Sequence, residues 1–512
     1  MVDSPRKDTL DKDLEKLVHV EQAANVVARG LIAPGFGLLF LALTAIVTAF
    51  YVSGEPGAVT IIAASALGAY MALNIGANDV ANNVAPAVGA KALTMVGALA
   101  IAAIFEAAGA LIAGGDVVDT ISKGIVDPDK VSEPSTFVRL MLAALLSAAV
   151  WINIATWVGA PVSTTHSVVG GVLGSGIAAA GFAAVDWGVM GAIAASWVVS
   201  PLMGGVIAAL FLALVKSAII YQDDKIAAAR RWVPLLVAVM AGTFAAYLAL
   251  KGLKTVIHLD AVSIVFIGCA TGLIVWSLAN GHVRRISEGM ENRNQSLRRL
   301  FRGPLIFSAA LLSFAHGAND VANAVGPLAA IVATVQQGNV AATVGIPIWV
   351  MVIGAVGISI GLVLFGPRLI RMVGEQITKL NPMRAFCVAL SAAITVIIAS
   401  WLGLPVSSTH VAVGAVFGVG FFREWYTANS KRRRNYLERK AARDRADRNG
   451  EDDWNGDEGA DSGEPQLSGA EIMRRRLVRR AHVMTIVAAW VTTVPASALL
   501  SAVIFYVLAI AY

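Results

Sequence analysis

Asn78, Asp79, Asn82 and Asn83 fall in one stretch, 76-GANDVANNVAPAVGAKALT-94, with almost uniformly apolar chain on either side. Nearly the same string returns as 316-HGANDVANAVGP-327, which carries Asn319, Asp320 and Asn323. A carboxylate at the centre of a membrane helix costs at least about 2.5–3.5 kcal/mol, so it is kept where it faces a cavity or binds something. Carboxylate, amide carbonyl and unwound backbone carbonyl together make a set of hard oxygens. Such a set suits Na⁺ or another hard cation, held by Asp79, Asn82, Asp320 and Asn323, or proton exchange at the two aspartates. In each copy the Asn four residues after the first (Asn82 after Asn78, Asn323 after Asn319) shares its helix face. Asp79 and Asn83 have the same spacing, but the second copy has Ala324 there, so the two sites are not identical.

A second repeated pair carries different chemistry. Both 161-PVSTTHSVVGGVLG-174 and 405-PVSSTHVAVGAVFG-418 read as helix starts, with Pro in the first turn and Ser or Thr capping free N–H groups. Hydroxyls of Ser163, Thr164, Thr165, Ser407, Ser408 and Thr409 beside exposed N–H groups at the positive end of a helix form an anion cradle. Gly170, Gly171, Gly174, Gly414 and Gly418 then permit close helix packing. Only Lys91 supplies a cationic side chain in any of these motifs. An anion must therefore be neutralised by dipoles, donors and co-bound cations, a physical reason to couple it to Na⁺ or H⁺.

Each feature has a plainer reading. An Asp–Asn pair can be structural glue between helices, although duplication beside two Ser/Thr-rich helix starts weighs against that. His166, His316 and His410 adjoin the motifs, and each reads as a hydrogen-bonding partner in helix packing before it reads as a ligand. Glu106 lies inside an apolar run and is a cation-coupling candidate; its approximate counterpart in the second half, around Gly354, is apolar, which breaks the symmetry. Asp119 and Glu375 read as helix caps.

These residues need membrane-spanning elements to hold them. Of 512 residues, 57% are hydrophobic and 14% charged, with mean hydropathy +0.70; soluble domains carry about 25% charge. Apolar runs of bilayer length recur without period-two alternation, so the fold class is an all-α polytopic membrane protein with about 11–12 transmembrane segments, some helices being broken or re-entrant. Runs 304–316 and 318–335 read as separate segments. The net charge of +6 gathers in loops 216–231, 282–302 and 423–482, so it marks the cytoplasmic side and no nucleic-acid partner. Cys269 and Cys387 lie in apolar runs and give neither a disulfide framework nor a metal-site spacing. The expected division is an acidic cytoplasmic segment 1–30 without signal-peptide character, an extra transmembrane helix 31–56, a first transport repeat 57–215, connecting spans and a basic cytoplasmic loop 216–303, a second transport repeat 304–422, a charged cytoplasmic loop 423–482 with a solvated, disordered middle, and a last transmembrane helix 483–512.

Two motifs recurring in one order about 240 residues apart mean two homologous halves rather than a solenoid. A weaker echo links 118-VDTI-121 to 373-VGEQI-377. If 92–114 through 261–280 make six full spans, the second GANDVAN helix enters from the opposite side. The halves are then inverted-topology repeats, an architecture of secondary transporters with a site near the midplane.

GANDVAN with its downstream AVGAKALT, HGANDVANAVGPL, and the paired PVSTTH and PVSSTH resemble the inorganic phosphate transporter family, in a bacterial member, over roughly residues 57 to 422 plus the last span. The resemblance implies sodium- or proton-coupled phosphate permeation across the inner (plasma) membrane, often by a homodimer, with phosphate held between the halves and no cofactor. Carried over by position, Asn78, Asp79, Asn82, Asn319, Asp320 and Asn323 line the cation and phosphate sites, and the six Ser/Thr residues contact phosphate. Asn83 and Glu106 join the cation-coupling group. The family often has acids in both halves near Glu106, and only one is evident here. Sulfate permeation in the same family is an alternative. A membrane-embedded hydrolase or phosphotransferase is a weaker one, since no nucleophile elbow, HExxH or Walker string is present. The chain is therefore expected to be a transporter and not an enzyme.

Overall fold

The structure, a computed structural model, describes residues 31–131, 133–158, 162–252, 259–340, 345–372, 380–431, 435 and 480–511. The acidic segment 1–30, Pro161, Glu375 and residues 432–434 and 436–479 of the expected 423–482 loop lie outside the described residues, while 423–429 of that expected loop are helical. Within them the chain is helical almost throughout, and extended pairing is limited to one bridge between Val126 and Val185. The main helices are α1 (Leu31–Tyr51), α2 (Ala58–Asn78), α3 (Ala81–Gly89), α4 (Met95–Ala113), α5 (Pro134–Val158), α6 (Thr164–Ala180), α7 (Trp187–Val215), α8 (Lys225–Lys251), α9 (Ala261–Ser287), α10 (Arg302–Gln337), α11 (Ile348–Met372), α12 (Pro382–Trp401), α13 (Ser408–Asn429) and α14 (Arg480–Ala511). Counting α2 and α3 as one, eleven helices among the described residues are long and apolar enough to cross a bilayer. Runs 304–316 and 318–335 are one continuous helix, α10, and not two segments. The first motif is the one that breaks, at Asp79–Val80 between α2 and α3. With 17 residues, α6 is not among the eleven; it runs back along α5, Gly171 meeting Ala144 and Ser147, so α5 and α6 together leave the number of crossings between the motifs even.

Packing exchanges the halves. Contact of α2 with α11 is matched by contact of α10 with α4, and contact of α6 with α14 by contact of α13 with α7. A Cβ added at Gly76 would lie 2.0 Å from the Ile358 carbonyl oxygen, and one at Gly317 would lie 2.1 Å from that of Glu106. Likewise Gly361 faces the Leu73 carbonyl and Gly109 the Phe314 carbonyl. These backbone approaches make Ile358, and not a residue near Gly354, the counterpart of Glu106; its apolar character is as expected. Gly57 meets Val335, Gly68 meets Leu328, and Asp79 meets Asp320. Moving forward along α2 is thus moving backward along α10, and the two motif helices run antiparallel. The motif glycines pack as expected: Gly170 and Gly174 against Val494 and Ala498, and Gly414 and Gly418 against Pro201 and Gly205.

The basic segments gather on one face. Arg230 Nε donates to Ser287 Oγ at 2.7 Å, and Asn292 bridges the Lys225 N–H and the Asp223 carbonyl. Lys216 is not a free loop cation: it is buried, with Nζ 4.5 Å from the Tyr426 ring centre and 5.5 Å from that of Phe422. Tyr221 stacks on Tyr426, bringing the end of α13 to the same face. The opposite character marks the flanks, where α9 packs chiefly on α8 and shows Val265, Phe266, Leu273 and Ile274 outward, as a lipid-facing helix must.

Candidate functional site

The two Ser/Thr motifs start helices as the sequence predicts. Ser163 and Ser407 have extended backbone, and their Oγ atoms accept from the N–H groups of His166 (3.1 Å) and His410 (3.3 Å). Each cap contributes about 1 kcal/mol. Pro405 precedes its cap by two residues and so lies outside the first turn, where it stiffens the extended approach.

Those helix starts converge on the motif carboxylates. Asp79 is 1% exposed. Its Oδ2 accepts from the Thr164 hydroxyl at 2.6 Å, and its Oδ1 from the Thr409 hydroxyl at 2.8 Å. Thr409 in turn accepts from Asn82 at 2.9 Å. From the second copy, Asn323 donates to Thr164 (3.3 Å) and Thr165 (3.2 Å), and the Thr165 hydroxyl donates to the Val406 carbonyl. Ser408 approaches Asp320 Oδ2 at 3.4 Å. Every bond but Thr164–Asp79 and Ser408–Asp320 in this set joins one half of the chain to the other. The site is therefore single and composite, with each half supplying part.

Asn78 and Asn319 play matched outer roles. Asn78 donates to Thr156 (2.7 Å), and Asn319 donates to Ser400 (3.0 Å) and the Leu404 carbonyl while accepting the Val406 N–H. They brace the helix pairs rather than face the carboxylates. Asn83 does not pair with Asp79, because the chain breaks between α2 and α3; it donates to Glu106 at 2.8 Å. Glu106 Oε2 lies 2.8 Å from His316 Nδ1, and His316 Nε2 lies 2.8 Å from Asp320 Oδ2. His316 is thus the hydrogen-bonding partner the sequence expects, and it also reaches Asp320, four positions on, where the first copy has Ile75 in its place. In the other half the corresponding residues are all apolar: Ala324, Ile358 and Ile75 stand for Asn83, Glu106 and His316. Glu106 accordingly belongs to a polar unit that occurs once, built from Asn83 and Glu106 of the first half and His316 of the second, with no polar symmetry mate.

His166 and His410 differ from expectation in kind of contact. Their rings meet edge to face at 4.5 Å, and His166 also stacks on Trp197 at 3.9 Å, with neither of its nitrogens hydrogen-bonded. They pack the two helix starts together. Asp119 makes no side-chain cap at the turn it heads.

Two acceptors at the centre have no donor, Asp320 Oδ1 and Asn323 Oδ1, both buried. Ligand atoms of Asp79, His316 and Asp320 lie within 4.8 Å of one another. Buried oxygens without donors beside two carboxylates fit a hard cation, and the four oxygen-bearing residues expected for it, Asp79, Asn82, Asp320 and Asn323, are brought to one place, although the Asn82 amide is turned to Thr409.

Comparison with known proteins shows the family. Residues 75–501 match the model of a phosphate transporter family. A candidate phosphate permease of Helicobacter pylori is 50% identical over 424 residues, covering 82% of this chain and 80% of the relative. Another, of Thermococcus kodakarensis, is 42% identical over 359 residues, covering 69% and 86%. A solved structure described as the sodium-dependent phosphate transporter superposes with TM-score 0.75 at 35% identity, covering 89% of this chain and all of that one. Matched by the family model over most of its length and by a family structure in its helical architecture, the chain belongs to the phosphate transporter family.

Proposed function

We propose that this chain is a secondary transporter of the inner (plasma) membrane that takes up inorganic phosphate by symport with Na⁺. The division into two transport repeats, 57–215 and 304–422, joined by 216–303, belongs to the same proposal. The observation that carries it is that Thr164 and Thr409, one from each half, both donate to the Asp79 carboxylate. That carboxylate occupies the donors an incoming anion needs. Phosphate can claim them only if Asp79 is neutralised by something else, and a cation held by Asp79, Asp320 and Asn323 does that. Each ligand then requires the other, which is the coupling a symporter needs. The antiparallel motif helices support inverted repeats and alternating access around one fixed site.

Ser163, Thr165, Ser407 and Ser408 complete the anion cradle in this reading, with Asn78 and Asn319 bracing it. A proton is the second candidate coupling ion, favoured by the Glu106–His316–Asp320 row, which places three titratable groups 2.8 Å apart in succession. Calorimetric titration of purified protein with phosphate tests the reading. Affinity should rise at least about tenfold when Na⁺ replaces K⁺, and the gain should vanish in Asp320→Asn. Equal affinity in both salts would remove Na⁺ from the mechanism. Sulfate binding as strongly as phosphate would move the substrate to sulfate.

A further inference from the structure

On the basic face, away from the carboxylates, lies a cavity of about 1070 Å³ lined by Lys91, Arg298, Arg299, Arg302 and Arg384, with no acidic residue among the described residues of its wall. Among the described residues none of these five cations is ion-paired with a carboxylate. Like charges crowded on a concave wall repel one another, and removal of that repulsion favours an anionic occupant. Two backbone features reinforce the field. Lys91 ends α3 in a left-handed conformation (φ 56), alone among described non-glycine residues, where glycine would fit more readily. And α12 begins at the cavity rim, its N-cap Asn381 accepting the Arg384 N–H at 3.0 Å, so the positive end of that helix dipole points there too.

We propose that this cavity is a second anion site, for a phosphoryl ligand with several negative charges, distinct from the transport site. Charge and size argue against a single orthophosphate: a dianion would leave most of five cations uncompensated and most of the volume unfilled. A run of linked phosphoryl groups matches both, and Arg forks suit its paired oxygens. The same chemistry is offered by a soluble polyphosphate and by a bis-phosphate lipid headgroup, since the cavity opens where helices meet the basic face. Its walls come from the end of α3, which leaves the first motif, from the short helix Asn294–Leu300 that leads into α10 at Arg302, and from the start of α12; the far parts of α10 and α12 carry Asp320 and the Asn319 partner Ser400. Occupancy would tie those three elements together and so bear on transport from the cytoplasmic side.

The test is calorimetric titration of full-length protein, in phosphatidylcholine nanodiscs and Na⁺-free buffer, with inorganic tripolyphosphate. Saturable binding is expected, weakened about tenfold or more in the exposed double variant Arg298→Gln/Arg299→Gln and in Arg384→Gln, and unchanged in Thr164→Ala/Thr409→Ala. The exposed pair keeps the test valid if Arg384→Gln fails to fold. Repeating it with cardiolipin in the nanodisc assigns the source. Competition that disappears with the Arg298/Arg299 variant identifies the headgroup as occupant, and an unchanged titration identifies a soluble polyanion. Absence of saturable binding, equal affinity in the arginine variants, or loss only in the threonine variant would overturn the proposal.

Discussion

At the scale of residues, the centre of the molecule is a contest for a few hydroxyl donors. Asp79 holds Thr164 and Thr409, and in the proposed mechanism a bound cation releases them. Asp79→Asn or Asp320→Asn should therefore abolish cation-coupled phosphate uptake while the protein still folds and inserts, as membrane yield and size-exclusion profile would show. The polar unit beside it makes a separate prediction. Glu106→Ala strands Asn83 and His316 in the interior and should cost about 2–5 kcal/mol. Replacing all three with their counterparts, as Asn83→Ala, Glu106→Ile and His316→Ile, should recover much of that stability in thermal unfolding, because a packed apolar unit can replace a buried polar one. A triple variant less stable than Glu106→Ala would show that the polar unit is required for the fold. The aspartates, the serines and threonines and Glu106 could all be picked out from the sequence. The Asn83–Glu106–His316 grouping could not: counting by four along an unbroken helix assigns Asn83 to Asp79, and only the break at Asp79–Val80 turns it to Glu106.

At the scale of elements, the two copies of one motif adopt different backbones. Hydropathy reads the polar motif as an interruption, and in α2–α3 it is one. In α10 the same residues sit within 36 unbroken helical residues, so the motif string alone does not decide whether the helix breaks. A one-dimensional reading cannot tell the two copies apart in this respect. Close approach of backbones is the other element-scale determinant. Gly317→Ala would place a methyl 2.1 Å from the Glu106 carbonyl and should destabilise by at least about 1–3 kcal/mol. Gly191→Ala, in α7 with open space around it, should be neutral or slightly stabilising in the same unfolding assay.

At the scale of the whole molecule, the gathering of basic segments on one face and the helix count were readable because the bilayer imposes both on composition directly. The interlocking of halves was not, since which helix packs on which is set by side chains distant in sequence. The antiparallel motif helices put the α1–α2 turn and the end of α10 on the face opposite the basic segments. In a background with Cys269→Ser, cysteines placed at Glu55 and Gln337 should react with a membrane-impermeant maleimide on intact cells, and one at Arg293 only after permeabilisation. The reverse pattern would invert the assignment of sides, and labelling of Glu55 and Gln337 from different sides would contradict the antiparallel arrangement.

The most direct test of a composite cation–anion site is radiolabelled phosphate uptake into proteoliposomes under an imposed Na⁺ gradient, comparing the wild-type chain with Asp320→Asn. The account predicts concentrative uptake in the wild type and none in the variant. Equal uptake in both, or no uptake by the wild type under either a Na⁺ or a pH gradient, would contradict it.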